Sequence, residues 1–156
     1  MRMSSIKKIV TAIVTVFIAT QFIQPSRNKS DQLLAADITK TVGLPENVKA
    51  VFKKSCNDCH SNNTSYPMYV NIQPLGWLMA NHVKNGKENL NFSEFGTYAK
   101  RKQFNKLRAI ATSIKDGSMP LESYTMMHND ARLSKENKET IINWISKIKD
   151  SLSAGN

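Results

Sequence analysis

The sequence predicts an all-α domain of about four helices preceded by an N-terminal membrane-targeting helix. Three observations lead there. No segment alternates apolar and polar residues for long enough to make a sheet. Several segments repeat apolar residues at three- and four-residue steps. Residues 9–23 form an uncharged apolar run behind a basic leader. A chain of 156 residues, 40% hydrophobic and 22% charged, suits one domain and excludes a multidomain enzyme. The organisation expected is a membrane anchor or signal segment over residues 1–24, a tether over 25–43 and a domain over 44–152.

The apolar run holds 15 residues, the length of a secretory core and short of the roughly 20 that span a bilayer. Against cleavage, Ile18-Ala19-Thr20 offers a large residue where a small one is needed, and Gln24-Pro25 follows soon after. Extension to Ile6, with Lys7 and Lys8 snorkelling, reaches 18 residues. The missing cleavage site favours an uncleaved anchor over a removed signal peptide. Arg2, Lys7 and Lys8 keep the leader cytoplasmic, so the domain belongs on the periplasmic side, membrane-anchored or, alternatively, soluble after cleavage. Lys plus Arg exceed Asp plus Glu by 22 to 12, and residues 1–30 hold five of the basic residues and none of the acidic ones. What remains has no Arg-rich stripe, so no nucleic-acid partner is expected, only attraction to acidic surfaces.

Residues 25–37 are polar and aperiodic, as a tether should be. A first domain helix starts at Leu44-Pro45-Glu46, with Pro45 near its first turn and Glu46 facing the positive end of the dipole. Its face is Val48, Val51 and Phe52, and it leads into Cys56. Residues 61–71 are turn formers and make an ordered loop. Residues 74–83 read as a short helix with Leu75, Leu78, Met79, His82 and Val83 near one side, closed by Asn85-Gly86. A longer helix over 98–115 carries Phe104, Leu107, Ala111 and Ile114, with Gly117 as its C-cap and Ser118-Met119-Pro120 as irregular chain beyond. Ser134 caps the last helix, whose stripe is Ile141, Trp144, Ile145, Ile148 and Leu152.

The only two cysteines fall in Cys56-Asn57-Asp58-Cys59-His60, the C-x-x-C-H attachment pattern of c-type haem. Covalent attachment needs two thiols that reach two vinyl groups on one porphyrin edge, with the next residue's imidazole on the iron. A dithiol redox motif would sit in a βαβ context, which is missing. Zinc would need two more ligands, and His82 and His128 lack the close spacing of a finger. A disulfide leaves His60 unexplained. Cys56, Cys59 and His60 therefore form the predicted cofactor site for one covalent haem c. The sixth ligand decides the chemistry: a thioether closes the iron, an open position admits small ligands. Met119, between Gly117 and Pro120 in a shaped loop, is the choice, with His82 as the alternative distal ligand. His128 reads as a surface or supporting residue, and the remaining methionines as packing or leader residues.

The sequence also resembles a known family, the haem-binding domain family of small exported c-type cytochromes, related to the class I cytochrome c fold. The likeness covers residues 44–148. It rests on Cys56-x-x-Cys59-His60-Ser61, Thr64, Pro67, Tyr69, Ile72-x-Pro74, His82 and Asn91-Phe92-Ser93. It continues through Met119-Pro120-Leu121, Tyr124, His128, Ala131-x-Leu133-Ser134 and Trp144, with Gln21-Phe22-Ile23 resembling the end of the family's anchor. Phe95 and Met68 stand where the family often has aromatic residues, Trp at the first. The resemblance implies a cytochrome c-like fold, haem binding and single-electron transfer to redox partner proteins, with His60 and Met119 axial. The alternative is a haem-based sensor or peroxidase-like protein with an open or His-ligated distal site.

Overall fold

The computed structural model describes residues 4–30 and 32–153; Met1, Arg2 and Met3 of the leader and the side chain of Leu152 lie outside what it describes. All the regular structure among the described residues is helical, with no strand. Eight α-helices follow in order, where about four were expected within the domain. They are α1 (Ser5–Gln21), α2 (Ile38–Thr41), α3 (Glu46–Ser55), α4 (Asn57–His60), α5 (Leu75–Asn89), α6 (Lys100–Asp116), α7 (Glu122–Met127) and α8 (Lys135–Ser153). Short 3-10 turns cover Met68–Asn71, Phe92–Thr97 and Asn129–Ala131. The four expected helices are α3, α5, α6 and α8. The additional α2, α4 and α7 are single turns or little more, too short to show a period.

α1 buries no residue, and its isoleucines and valines face outward. Among the described residues no helix is long and apolar enough to cross a membrane. The polar stretch after it does not hang free. Gln21, Gln24, Arg27, Asn28 and Ser30 all hydrogen-bond to residues 61–73, so this segment is a strap laid along the domain.

The main core gathers Val48 and Phe52 of α3, Leu107 and Ile114 of α6, and Ile141, Trp144 and Ile145 of α8 around Leu90, Phe92 and Phe95. Phe52 stacks on Phe92 at 5.0 Å and meets the edge of Trp144 at 5.8 Å. A second cluster, Val70, Met79, Val83, Tyr124 and Ala131, lies between α5 and α7. Gly117 closes α6 at φ +77°, the left-handed C-cap that only glycine adopts cheaply.

α5 differs from expectation in two ways. It runs past Asn85-Gly86 to Asn89, because Gly86 is needed for contact and not as a stop: a Cβ there would lie 2.4 Å from the Cys59 carbonyl oxygen. Its buried face is Gly76, Met79 and Val83, while Leu75 and Leu78 are exposed. Gly76 sets that rotation, since a Cβ at this position would lie 2.4 Å from the Val70 carbonyl oxygen. In α6, likewise, Gln103 is buried and gives its amide to the Tyr98 carbonyl at 2.8 Å, whereas Phe104 is half-buried.

Phe52→Ala removes the ring that joins α3 to Phe92 and Trp144. Guanidinium denaturation of haem-loaded protein should show a loss of about 3–5 kcal/mol; a loss under about 1 kcal/mol would mean that this cluster does not hold the helices together.

Candidate haem site

α3 ends at Ser55, and Cys56 breaks the helix (φ −130°) before the single turn of α4 carries Cys59 and His60. The Cys59 and His60 amides both donate to the Cys56 carbonyl oxygen, at 3.2 and 3.0 Å. This compact turn brings both cysteines and His60 to the wall of one cavity of about 450 Å³, within the size range of cofactor pockets. The same cavity is lined by His82 and Gly86 of α5, Ile110 and Ile114 of α6, and Met119, so the sequence-predicted residues converge. It lies where the two core clusters meet, bounded by Leu90 and Phe92 from one and Tyr124 from the other. His128 is not in its lining.

The orientation of His60 is fixed by the end of α5. Its Nδ1 lies 3.0 Å from the Leu90 carbonyl oxygen. A carbonyl can only accept, so Nδ1 carries the hydrogen and Nε2 keeps its lone pair, the tautomer a metal-binding imidazole requires. Leu90 is the residue just past the last turn of α5, and its own amide donates to the Gly86 carbonyl at 2.8 Å. The Leu90 carbonyl is thus an otherwise orphaned helix-end acceptor put to use. Burial lowers the His60 pKa, against the opposing pull of the carbonyl bonds, and keeps the ring neutral. Phe92 lies 5.8 Å from the imidazole, supporting its flank.

Both thiols are free and half-buried. Burial, with Cys59 adding to it, pushes Cys56 up to about 12, and burial with the Asp58 charge pushes Cys59 up to about 11. They are neutral thiols at physiological pH. Met119 enters from the loop after α6, where its amide donates to the Ser113 carbonyl at 3.1 Å. The turn before it is held by Asp116, whose carboxylate accepts from the Ser118 amide at 2.9 Å and whose pKa is lowered for that reason. His82 is half-buried and has no hydrogen-bond partner among the described residues.

Asp58 and Asn28 escaped the sequence reading, which gave His128 as a surface or supporting residue and named Tyr69, Asn91, Ser93 and Tyr124 only for the family likeness. Asp58, inside the Cys56–His60 turn, accepts from the Tyr124 hydroxyl at 2.7 Å and from the Ser65 amide at 2.9 Å. Burial first, and then this carboxylate, keep the Tyr124 hydroxyl protonated far above the ordinary phenol range. His128 stacks on Tyr124 at 4.1 Å, donates from Nδ1 to the Tyr124 carbonyl and meets the Tyr69 hydroxyl through Nε2 at 3.4 Å. Asn91 and Ser93 anchor the loop after His60 through the Asn62 side chain and amide, at 2.9 and 3.1 Å. Asn28, in the strap, donates to the Ser61 carbonyl and Thr64 hydroxyl and accepts from Lys87. Nothing periodic marks Asn28 or Asp58 in the sequence, so spacing could not have found them.

Two outcomes follow. Tyr124→Phe strips a charge-assisted bond from Asp58 and should cost haem-loaded protein about 1–2 kcal/mol in chemical denaturation. In haem-free protein at pH 8, iodoacetamide should alkylate Cys56 and Cys59 at least about tenfold more slowly than in denaturant. Because the folded values of about 12 and 11 lie above the ordinary 9.0, this contribution to stability is full below pH 9 and is lost as pH rises through them. Equal alkylation rates would show that the thiols are not enclosed.

One comparison with known proteins found a match. The family model described as "Haem-binding domain" matches residues 15–147, which takes in the strap, the Cys56–His60 turn, α5, the Met119 loop and the first two thirds of α8. No curated protein and no solved structure matched the chain significantly. A match over most of the sequence makes the assignment: the chain belongs to the haem-binding domain family.

Proposed function

We propose that this protein is a c-type cytochrome that carries single electrons outside the cytoplasm, with one haem held by thioether bonds to Cys56 and Cys59 and ligated by His60 and Met119. The observation that carries the reading is the His60–Leu90 bond: it leaves a neutral Nε2 beside two thiols on the wall of the same cavity. Bound haem supplies a one-electron iron couple. The chain's own residues do the rest. His60 offers a fixed nitrogen, Met119 a soft sulfur, and Leu90, Phe92, Ile110 and Ile114 an apolar lining that excludes water. A cytochrome c-like arrangement around the haem fits α3, α5, α6 and α8. The basic leader and the outward-facing apolar α1 support an extracytoplasmic domain on a membrane anchor, with redox proteins as partners. Asp58 and Tyr124, acid–base groups on the cavity wall besides the ligand candidates, are bonded to each other, which supports electron carriage over catalysis.

One observation keeps a second reading in play: His82 lines the cavity with a free imidazole. Spectra of oxidised and reduced protein separate the two. With Met119 ligating, Met119→Ala changes both spectra and admits carbon monoxide rapidly to reduced protein, while His82→Phe changes neither. The opposite pattern assigns His82, and rapid stoichiometric carbon monoxide binding by the parent protein points to the sensor or peroxidase-like alternative.

A further inference from the structure

The surface from which α1 leaves the domain is apolar and tightly clamped. The Gln21 side chain pairs with the backbone of Gln73, accepting from its amide at 2.9 Å and donating to its carbonyl at 3.3 Å. Gln24 accepts from the fully buried Gln73 side chain at 2.9 Å and donates to the Asn71 carbonyl at 3.1 Å. The Trp77 indole donates to the Ile23 carbonyl at 2.8 Å. Around this clamp Phe22, Ile23, Ile72, Leu75, Trp77 and Leu78 are all exposed. These are the leucines that the turn of α5 carries away from the core.

Length and charge say what covers them. α1 has 17 residues, about 25 Å of helix, against about 30 Å of bilayer hydrocarbon. A segment that short draws whatever is fixed to its end into the interface, and here the domain itself is fixed there. Charge is compatible: none of the 12 acidic residues lies in residues 1–30 or 59–87, the two stretches that make this face, whereas Arg27, Lys29, Lys84 and Lys87 do. Arg27 lies over the Tyr66 ring at 4.5 Å, beside the clamp. A tryptophan with a bonded N–H among exposed aliphatic side chains, with Arg27 beside the clamp, suits a headgroup layer that carries anionic lipid.

We infer that this face is a membrane foot: the domain rests on the outer leaflet through Ile72, Leu75, Trp77 and Leu78, continuing the short α1 into the interface, and does not swing on a flexible tether. His82 and Gly86, on the cavity wall, follow Leu75 along α5 by about 10 and 16 Å of helix, so the foot sets the haem cavity at a fixed standing above the bilayer. The inference rests on α1 being a membrane segment, and its test separates the two. Full-length haem-loaded protein, whose Cys56 and Cys59 are consumed by the cofactor, is reconstituted in phosphatidylcholine–phosphatidylglycerol vesicles. Nitroxides are attached at Val14→Cys in α1, at Ile72→Cys or, as a second variant, Leu78→Cys in the foot, and at Lys135→Cys on α8. Collision with oxygen, which partitions into lipid, is compared with collision with a water-soluble nickel chelate. The foot predicts an oxygen-to-nickel ratio severalfold higher at 14, 72 and 78 than at 135. A lipid reading at 14 with water readings at 72 and 78 overturns the foot alone. A water reading at 14, or a mature chain lacking α1 by mass, overturns the membrane reading and the foot with it. Labels at 72 that are shielded from both reagents and broadened until diluted with unlabelled protein would place a second copy there instead, and also overturn it.

Discussion

The hydrogen bond from His60 Nδ1 to the Leu90 carbonyl is the contact on which the site depends. It couples a four-residue turn, too short to be stable alone, to the end of a four-turn helix. It also fixes which imidazole nitrogen is free. The bond exists only because α5 continues beyond Gly86, so that its terminal carbonyl reaches His60, and because Gly86 lets α5 lie against the Cys59 carbonyl. Tautomer, ring orientation and helix packing are therefore one constraint, set by a glycine inside a helix and a leucine at its end.

The rest of the site reads as support for that constraint. Asn91 and Ser93 hold the loop leaving His60, Phe92 between them joins the imidazole to the Phe52 stack, and Asp58 ties the turn to α7 through Tyr124. The strap adds a third tie through Asn28. The Cys56–His60 turn is thus held from α5, from the segment after it, from α7 and from the N-terminal side. Such bracing holds the His60 ring in one orientation toward the cavity.

The cysteine spacing, the adjacent histidine and the helical stripes of α6 and α8 were legible because each is a local pattern with its own period or fixed offset. The course of α5 was not. Leu75 and Leu78 match a helical face as well as Met79 and Val83 do, and only the close approach at Gly76 decides which pair is buried. Asn85-Gly86 looks like a stop because glycine usually ends helices, yet here glycine serves contact. Residues 25–30 look like a tether because hydrogen bonds made by Asn and Gln side chains leave no hydropathy signal. Bonds from Arg27, Asn28 and Ser30 to residues 61–71 instead hold this segment against the domain, between α1 and the loop after His60.

A covalent tetrapyrrole on the turn that begins at Cys56 is the central claim, and the intact mass of protein matured in a host with a haem-attachment system tests it most directly. The mass of one haem should persist through denaturation and organic extraction, and should disappear from Cys56→Ala, Cys59→Ala protein. A polypeptide of unmodified mass, with any haem extracted freely, would contradict it.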